Sequence, residues 1–358
     1  HYCDYHFSIS LKSKDSIIDS IVKEINLRAD ELNEKINSIY FGGGTPSLIS
    51  ENDTEKILNT INKKFHISEK AEVTMECNPD DINIKNIKGW KKYNINRISL
   101  GVQSFFDSDL ELMNRSHNSV TATQAIELIK DNFKNFSIDL IYGIPESSFD
   151  IWKKNIDIAL KYDVPHISTY VLTVEPKTAL IKLIEKNKIK EVSDTDQKLQ
   201  FEYVYDYLSG LGYINYEFSS FAKPGYECKN NITYWNRGKY IGFGPSAHSF
   251  DGIKRKWNIS NNQKYIEKIK LNSIAYESEI LSETDILNEI IMIGLRTSKG
   301  LDLDLIESKF SNLNLEKLRQ QIQLKILDGV LVKTDNKLHP SRDYKFLTDG
   351  IASDLFIT

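Results

Sequence analysis

Ser38-Ile-Tyr-Phe-Gly-Gly-Gly-Thr-Pro-Ser47 opens as a strand and ends in three consecutive glycines. The Ser38–Phe41 run is dominated by β-branched and aromatic residues, which suit a pleated, half-buried surface. Glycines at 42–44 remove every Cβ, so backbone N–H and C=O groups there can approach a ligand closely. A helix is expected near 51–65, which makes the stretch a strand, a glycine turn and a helix in series. By itself the turn is either a tight connection or an anion loop. It lacks the Gly-Lys-Ser/Thr of a P-loop and the spacing of a dinucleotide fingerprint.

The pattern repeats outward from that unit. Upstream, Ile18, Ile21, Val22, Ile25 and Leu32 predict a helix over 15–34, with Ser13 or Asp15 as its cap. Downstream, strands are expected at 72–76, 97–102, 136–142 and 166–171, alternating with helices near 83–93, 121–133 and 149–162. Such alternation implies parallel pairing through right-handed crossovers. The helix at 15–34 lacks a preceding strand; with one upstream of His1 the fold class is a partial (β/α)6 barrel. Chemistry in barrels of this kind collects at the C-terminal ends of the strands. Gly42–Ser47, Glu76–Asp80, Gln103-Ser104 and Gly143–Pro145 all fall there.

Bulk properties bound the remaining choices. The 358 residues are 40% hydrophobic and 27% charged, with a net charge of −4, an ordinary balance for a globular chain. No apolar run is long enough to span a bilayer, so no stable membrane insertion is expected. No charged-then-apolar leader precedes Cys3, and Cys3, Cys77 and Cys228 are too few for a disulfide framework; both point to a cytoplasmic location. Residues 178–210 read as charged helix, 212–258 are rich in Tyr, Trp, Phe and Gly, and a third segment begins near 284. There, helices followed by a hairpin at Asp335-Asn336 form a C-terminal α+β winged-helix-like domain. Residues 284–358 carry 10 Lys and Arg against 11 Asp and Glu, so nucleic acid is not an expected partner. The expected domains are 1–178, 179–275 and 276–358.

The motifs along the chain resemble one family throughout. Tyr2-Cys3-Asp4-Tyr5, Tyr40–Ser47, Glu76-Cys-Asn-Pro-Asp80, Ser99–Phe105, Arg115-Ser-His117, Asp139–Pro145, Tyr170–Pro176, Tyr216-Glu217, Phe221–Gly225, Tyr234-Trp235, Gly242–Ser249 and Gly294–Thr297 stand in the order and spacing of HemW-type radical S-adenosylmethionine (SAM) proteins. These are relatives of the oxygen-independent coproporphyrinogen III oxidases. The resemblance implies a [4Fe–4S] cluster held by three cysteines in a C-x3-C-x2-C loop, with SAM on the open iron and cleaved by one electron to a 5′-deoxyadenosyl radical. It implies that Gly43, Gly44 and Thr45 meet the methionyl end of SAM, while Glu76, Gln103, Arg115 and Asp139 orient its amino, ribose and carboxylate groups. Taken singly, each acid or amide reads as a surface or capping residue; as an ordered set they read as a binding site.

Three positions bear on what the chain does. Cys3 aligns with the third cluster cysteine, so the other two are expected upstream of His1. Tyr5 stands where the oxidases carry a fourth cysteine, which favours the HemW branch. Asn230 replaces the histidine of the family's His-Asn-x-x-Tyr-Trp motif, and an amide is a poor iron ligand. His248, His166 and Cys228 are the alternative heme ligands, each also readable as a packing residue. The expected function is a heme chaperone binding cluster, SAM and heme. Its expected partners are heme or porphyrin, heme-acceptor proteins and an electron donor such as a flavodoxin or ferredoxin. The alternatives are a coproporphyrinogen III oxidase and a non-catalytic binding relative. The aromatic segment 212–258 and the C-terminal module are expected to cover the barrel mouth and offer a porphyrin an apolar face. No catalytic residue is singled out.

Overall fold

A computed structural model describes residues 11–174, 178–310 and 315–357. Helix α1 (Lys14–Leu27) leads into β1 (Ile36–Phe41), then α2 (Glu51–Lys64), β2 (Ile67–Cys77), α3 (Ile84–Lys92), β3 (Arg97–Gln103), α4 (Asp107–Leu112), α5 (Ser119–Asn132), β4 (Asn135–Tyr142), α6 (Phe149–Lys161) and β5 (His166–Val171). Strands β1 to β5 pair in parallel, in chain order. The helices start where short polar side chains meet the free backbone N–H groups: Ser50 closes a capping box on α2, and Asn118 and Ser148 cap α5 and α6. The strand expected upstream of His1 lies outside the described residues.

Two features depart from the sequence expectation. Helix α1 ends at Leu27, not near residue 34, because Arg28 leaves helical geometry (φ −113°) and donates to the Gly242 carbonyl and the Ser249 hydroxyl. A 3₁₀ turn, Ala29–Glu31, follows. The main sheet also has two more strands. After α7 (Ala179–Glu185) and α8 (Asp194–Gly210), β6 (Ile214–Glu217) and β7 (Ser220–Ala222) form a hairpin, and β7 lies antiparallel on β5. Part of the aromatic segment therefore extends the barrel wall.

The sheet curls into a half-barrel whose two faces differ in chemistry. Val73, Met75, Ile98, Leu100, Val102, Phe136, Ile138 and Leu140 point outward and form the main core with the helices. Burying each such side chain contributes roughly 1.5–3 kcal/mol. By the period of two along a strand, Glu72, Thr74, Glu76, Arg97, Ser99, Ser137, Asp139, His166 and Ser168 face the lumen. The inside of the half-barrel is polar and its apolar core is outside.

Helix α9 (Lys229–Trp235) spans the open side of that lumen. The Lys229 backbone N–H donates to Glu72 Oε1 at 2.9 Å in the middle of β2, and the Trp235 ring lies 5.4 Å from the Arg296 guanidinium. Next, β8 (His248–Phe250), β9 (Lys254–Asn258), α10 (Asn262–Lys270) and β10 (Tyr276–Ile280) build a three-stranded sheet, with α10 packed on α1. The last segment has its own core: α11 (Glu283–Arg296), β11 (Leu301–Asp302), α12 (Leu303–Lys309), α13 (Glu316–Leu327), β12 (Leu331–Thr334), β13 (Lys337–Pro340) and α14 (Thr348–Asp354). The expected hairpin turn is present, with Asp335 and Asn336 both at positive φ (48° and 59°) as a tight two-residue connection requires.

Gly294 fixes how closely α11 approaches β11. A Cβ there would sit 2.6 Å from the Leu301 Cα, and backbone cannot yield cheaply. Gly294→Ala is expected to lower stability by about 1–3 kcal/mol in denaturant unfolding, the usual cost of overpacking. Wild-type stability in that variant would show that the segment shifts freely.

Candidate active site at the mouth of the half-barrel

The turn after β1 and the upper ends of β2, β3 and β4 bring six of the seven expected side-chain and backbone groups to one end of the lumen. Gly43 takes φ +110°, a conformation that L side chains rarely adopt, and its N–H donates to Glu76 Oε2 at 3.0 Å. Tyr40 Oη donates to the other carboxylate oxygen at 2.9 Å. Both Glu76 oxygens are thereby fixed. A Cβ at Gly42 would lie 2.9 Å from the Tyr40 ring and 3.2 Å from Glu76 Oε1, whereas Gly43 and Gly44 face open space. The glycines thus serve two ends: Gly42 lets Tyr40 and Glu76 close beneath it, and the next two leave room above. Thr45 lies exposed at the end of this turn, ahead of the 3₁₀ turn Pro46–Leu48.

Asp139, on β4, faces the same compartment. Burial first, then the Glu76 charge, push its carboxyl up to about 7, against the hydrogen bond from Ser168 and the pull of Arg97 and Arg115. Burial likewise raises Glu76 above the ordinary carboxyl range, opposed by Tyr40 and Gly43. Two carboxyls that share a poorly hydrated site and resist ionisation form a site suited to a cation. Arg115 enters from the loop after α4. Its Nη2 donates to Asn78 Oδ1 at 2.7 Å and to the Gly101 carbonyl at 3.3 Å, while its buried Nε has no partner among the described residues. Gln103 ends β3 at φ +68°, and its amide lies so near Gly101 that a Cβ there would be 2.9 Å from Nε2. Cys3 lies outside the described residues. Among the described residues, no three His, Cys, Asp or Glu side chains converge as a metal site.

Residues that the sequence reading did not assign to the site hold it together. Tyr40 belongs to a run that reads as an apolar strand; only its place directly before three glycines hints that its hydroxyl points inward. Asn78 and Ser168 reach the site by contacts that spacing does not reveal. The alternative heme ligands separate by exposure. His166 and Cys228 are each 1% exposed, His166 lying 2.9 Å from Tyr216 Oη and Cys228 facing Glu72. His248 is exposed and stacks on Trp257 with ring centroids 5.9 Å apart. Asn230 is half-buried and pairs with Tyr234 one helical turn on.

Comparison with known proteins agrees with this arrangement. The radical SAM superfamily profile matches residues 1–159, and the HemN C-terminal domain profile matches 281–343. The heme chaperone HemW of Bacillus subtilis is 33% identical over 316 residues, covering 87% of this chain and 83% of that protein. HemW of Lactococcus lactis is 32% identical over 340 residues, covering 94% and 88%. Among solved structures, the coproporphyrinogen III oxidase HemN from Escherichia coli, described as a radical SAM enzyme, superposes with a TM-score of 0.82 at 19% identity, over 99% of this chain and 86% of that one. With the half-barrel, the glycine turn and the C-terminal module all in place, the chain belongs to the HemW family of the radical SAM superfamily.

Proposed function

We propose that this protein binds a [4Fe–4S] cluster and SAM at the mouth of the half-barrel and uses that scaffold to bind heme for delivery to acceptor proteins. The observation that carries the SAM reading is the pairing of Glu76 and Asp139, both reluctant to ionise, beside an open glycine turn and an incompletely partnered arginine. That donor set fits SAM group by group. Glu76 and Asp139 accept from an ammonium or from ribose hydroxyls and favour a sulfonium charge nearby. Arg115 offers its free N–H to a carboxylate. Gly43 and Gly44 let the backbone come close to the methionyl chain. Cys3 is the proposed cluster ligand within this chain.

When bound together, cluster and SAM supply one-electron bond cleavage; the chain supplies orientation and charge. Tyr40 and the Gly43 N–H hold the Glu76 carboxylate in one rotamer, so it meets the ligand without reorganising. Helix α9 closes the side of the lumen and limits water there. The heme reading rests on the HemW relatives and on the aromatic segment, where His248 is the exposed imidazole. Anaerobic reconstitution followed by iron and sulfide analysis, with EPR before and after adding SAM, tests the cofactor reading. A cluster signal that SAM does not perturb counts against it. Heme titration tests the chaperone reading, and turnover of coproporphyrinogen III with SAM would instead establish the oxidase alternative.

A further inference from the structure

We propose that the floor of the half-barrel lumen is a carboxylate-binding subsite, with Arg97 as its anchor and Thr74 and His166 as supporting donors. Arg97 begins β3 and stands in register with Thr74 on β2, which in turn pairs with Tyr40 on β1. It is 1% exposed, its Nε has no acceptor, and among the described residues no carboxylate lies within 4.0 Å of its guanidinium. A guanidinium cannot shed its proton to escape burial. Left without an acceptor it costs several kcal/mol, so a folded chain that keeps one there has an acceptor for it in use.

None of the surrounding groups accepts a hydrogen bond from Arg97 among the described residues. Tyr216 Oη receives a hydrogen bond from Asn231 at 3.4 Å and lies 2.9 Å from His166 Nε2. With Tyr216 donating to Nε2, the imidazole hydrogen sits on Nδ1, which is buried and has no partner. Burial, followed by the Arg97 charge, depresses the His166 pKa, in keeping with that neutral form. The Thr74 hydroxyl is also buried and unpaired. Two acids act on Arg97 without reaching it: Glu72, which already accepts from the Lys229 N–H and faces the Cys228 thiol, and Asp139, which accepts from Ser168. A planar, two-oxygen anion matches the guanidinium fork better than any other small acceptor.

The side chains immediately above this floor are small. Closed barrels fill their interior with branched residues, but here the inward positions next above the floor on β3, β4 and β5 are Ser99, Gly101, Ser137 and Ser168, with Asp139 and Tyr170 beyond them. Ser99 and Ser137 bond to one another at 3.0 Å. Thr74 is two residues below Glu76, about 7 Å along the strand at ~3.3 Å per residue. A carboxylate can therefore arrive as a free small anion or as the acidic arm of a larger ligand held at the mouth.

The test uses formate as probe. Thermal unfolding of the intact chain is followed in sodium formate and in sodium chloride at equal ionic strength. Formate at about 10–100 times its Kd is expected to raise Tm by roughly 2–4 °C over chloride. Arg97→Lys, which keeps the charge and loses the fork, is expected to remove that rise, and the near-isosteric Thr74→Val to reduce it. No formate-specific rise in the wild type, or the same rise in Arg97→Lys, overturns the subsite. The source is read separately, from the affinities of heme and its dimethyl ester. At least tenfold tighter binding of the diacid, lost in Arg97→Lys, assigns the carboxylate to the ligand; equal affinities beside a formate effect assign it to a free anion. This second arm rests on the proposed heme binding, whose failure leaves the formate result standing.

Discussion

SAM is expected to bind about tenfold more weakly for each pH unit below 7, because the site must lose a proton before it can take a cation. Asp139 carries that proton: burial and the Glu76 charge hold its carboxyl at about 7. The sign follows from linkage. A raised folded-state pKa means that the free site is protonated at pH 6, whereas the ammonium and sulfonium of the ligand favour the ionised form. Binding therefore releases a proton below about 7 and becomes independent of Asp139 well above it. Between pH 5.5 and 7 the ligand's own amino group stays protonated, so the slope belongs to the protein. Asp139→Asn is expected to flatten the profile and, by removing a hydrogen bond to a charged partner, to weaken binding at pH 8 by roughly 10–100-fold. Equilibrium dialysis with labelled SAM measures both. A flat wild-type profile, or an unchanged slope in Asp139→Asn, would remove Asp139 from the site. The same linkage makes Asp139→Asn more stable than the wild type at pH 8, where ionising Asp139 opposes folding.

The polarity of the lumen also explains which parts of the fold were legible in the sequence. Parallel strands covered on both faces usually read as unbroken apolar runs. Here Val73, Met75 and Cys77 alternate with Thr74 and Glu76, and Ile98, Leu100 and Val102 with Ser99 and Gly101, so a period of two survives in the central strands. That alternation, with the capping residues between, places β1 to β5 and helices α2, α3, α5 and α6 within about five residues, whereas the end of α1 and the short α4 carry no such pattern. Strands β6 and β7 escaped because they are four and three residues long and pair mainly with one another and with β5. No local pattern of that length fixes a strand. The site was legible to the same degree. Gly43, Glu76 and Gln103 sit at strand ends and Asp139 on the inward face of β4, which sequence can locate. The grip of Tyr40 on Glu76, the reach of Arg115 to Asn78 and the effect of Glu76 on Asp139 depend on curvature, which it cannot.

Curvature at the other edge depends on one buried ion pair, and removing it is expected to have the largest effect on stability of any single change outside the main core. Glu24 on α1 is fully buried and accepts four hydrogen bonds, one from Arg28 just past its own helix and three from other segments. Arg28 Nη1 and Asn258 Nδ2 reach Oε1 at 2.8 and 2.7 Å, while the Gly244 N–H and Tyr265 Oη reach Oε2 at 2.9 and 2.6 Å. Through these bonds one carboxylate fastens α1 to the Gly242–Ser249 loop, to β9 and to α10. Glu24→Ala leaves the Arg28 guanidinium, 3% exposed, with Glu31 as its remaining counter-charge and strands the buried donors of Asn258 and Tyr265, and is expected to cost about 3–5 kcal/mol in denaturant unfolding. Glu24→Gln keeps the shape but presents an NH2 where donors already converge, so it too is destabilising, by a smaller amount. Limited proteolysis of Glu24→Ala is expected to cut first within 242–258, since that stretch loses its two bonds to Glu24, from Gly244 and Asn258, while β1 to β5 keep theirs. Should Glu24→Ala unfold within about 1 kcal/mol of the wild type, the pair is ornamental, and the docking of the loop rests on the apolar contact of Phe243 with Phe65, whose rings lie 6.1 Å apart.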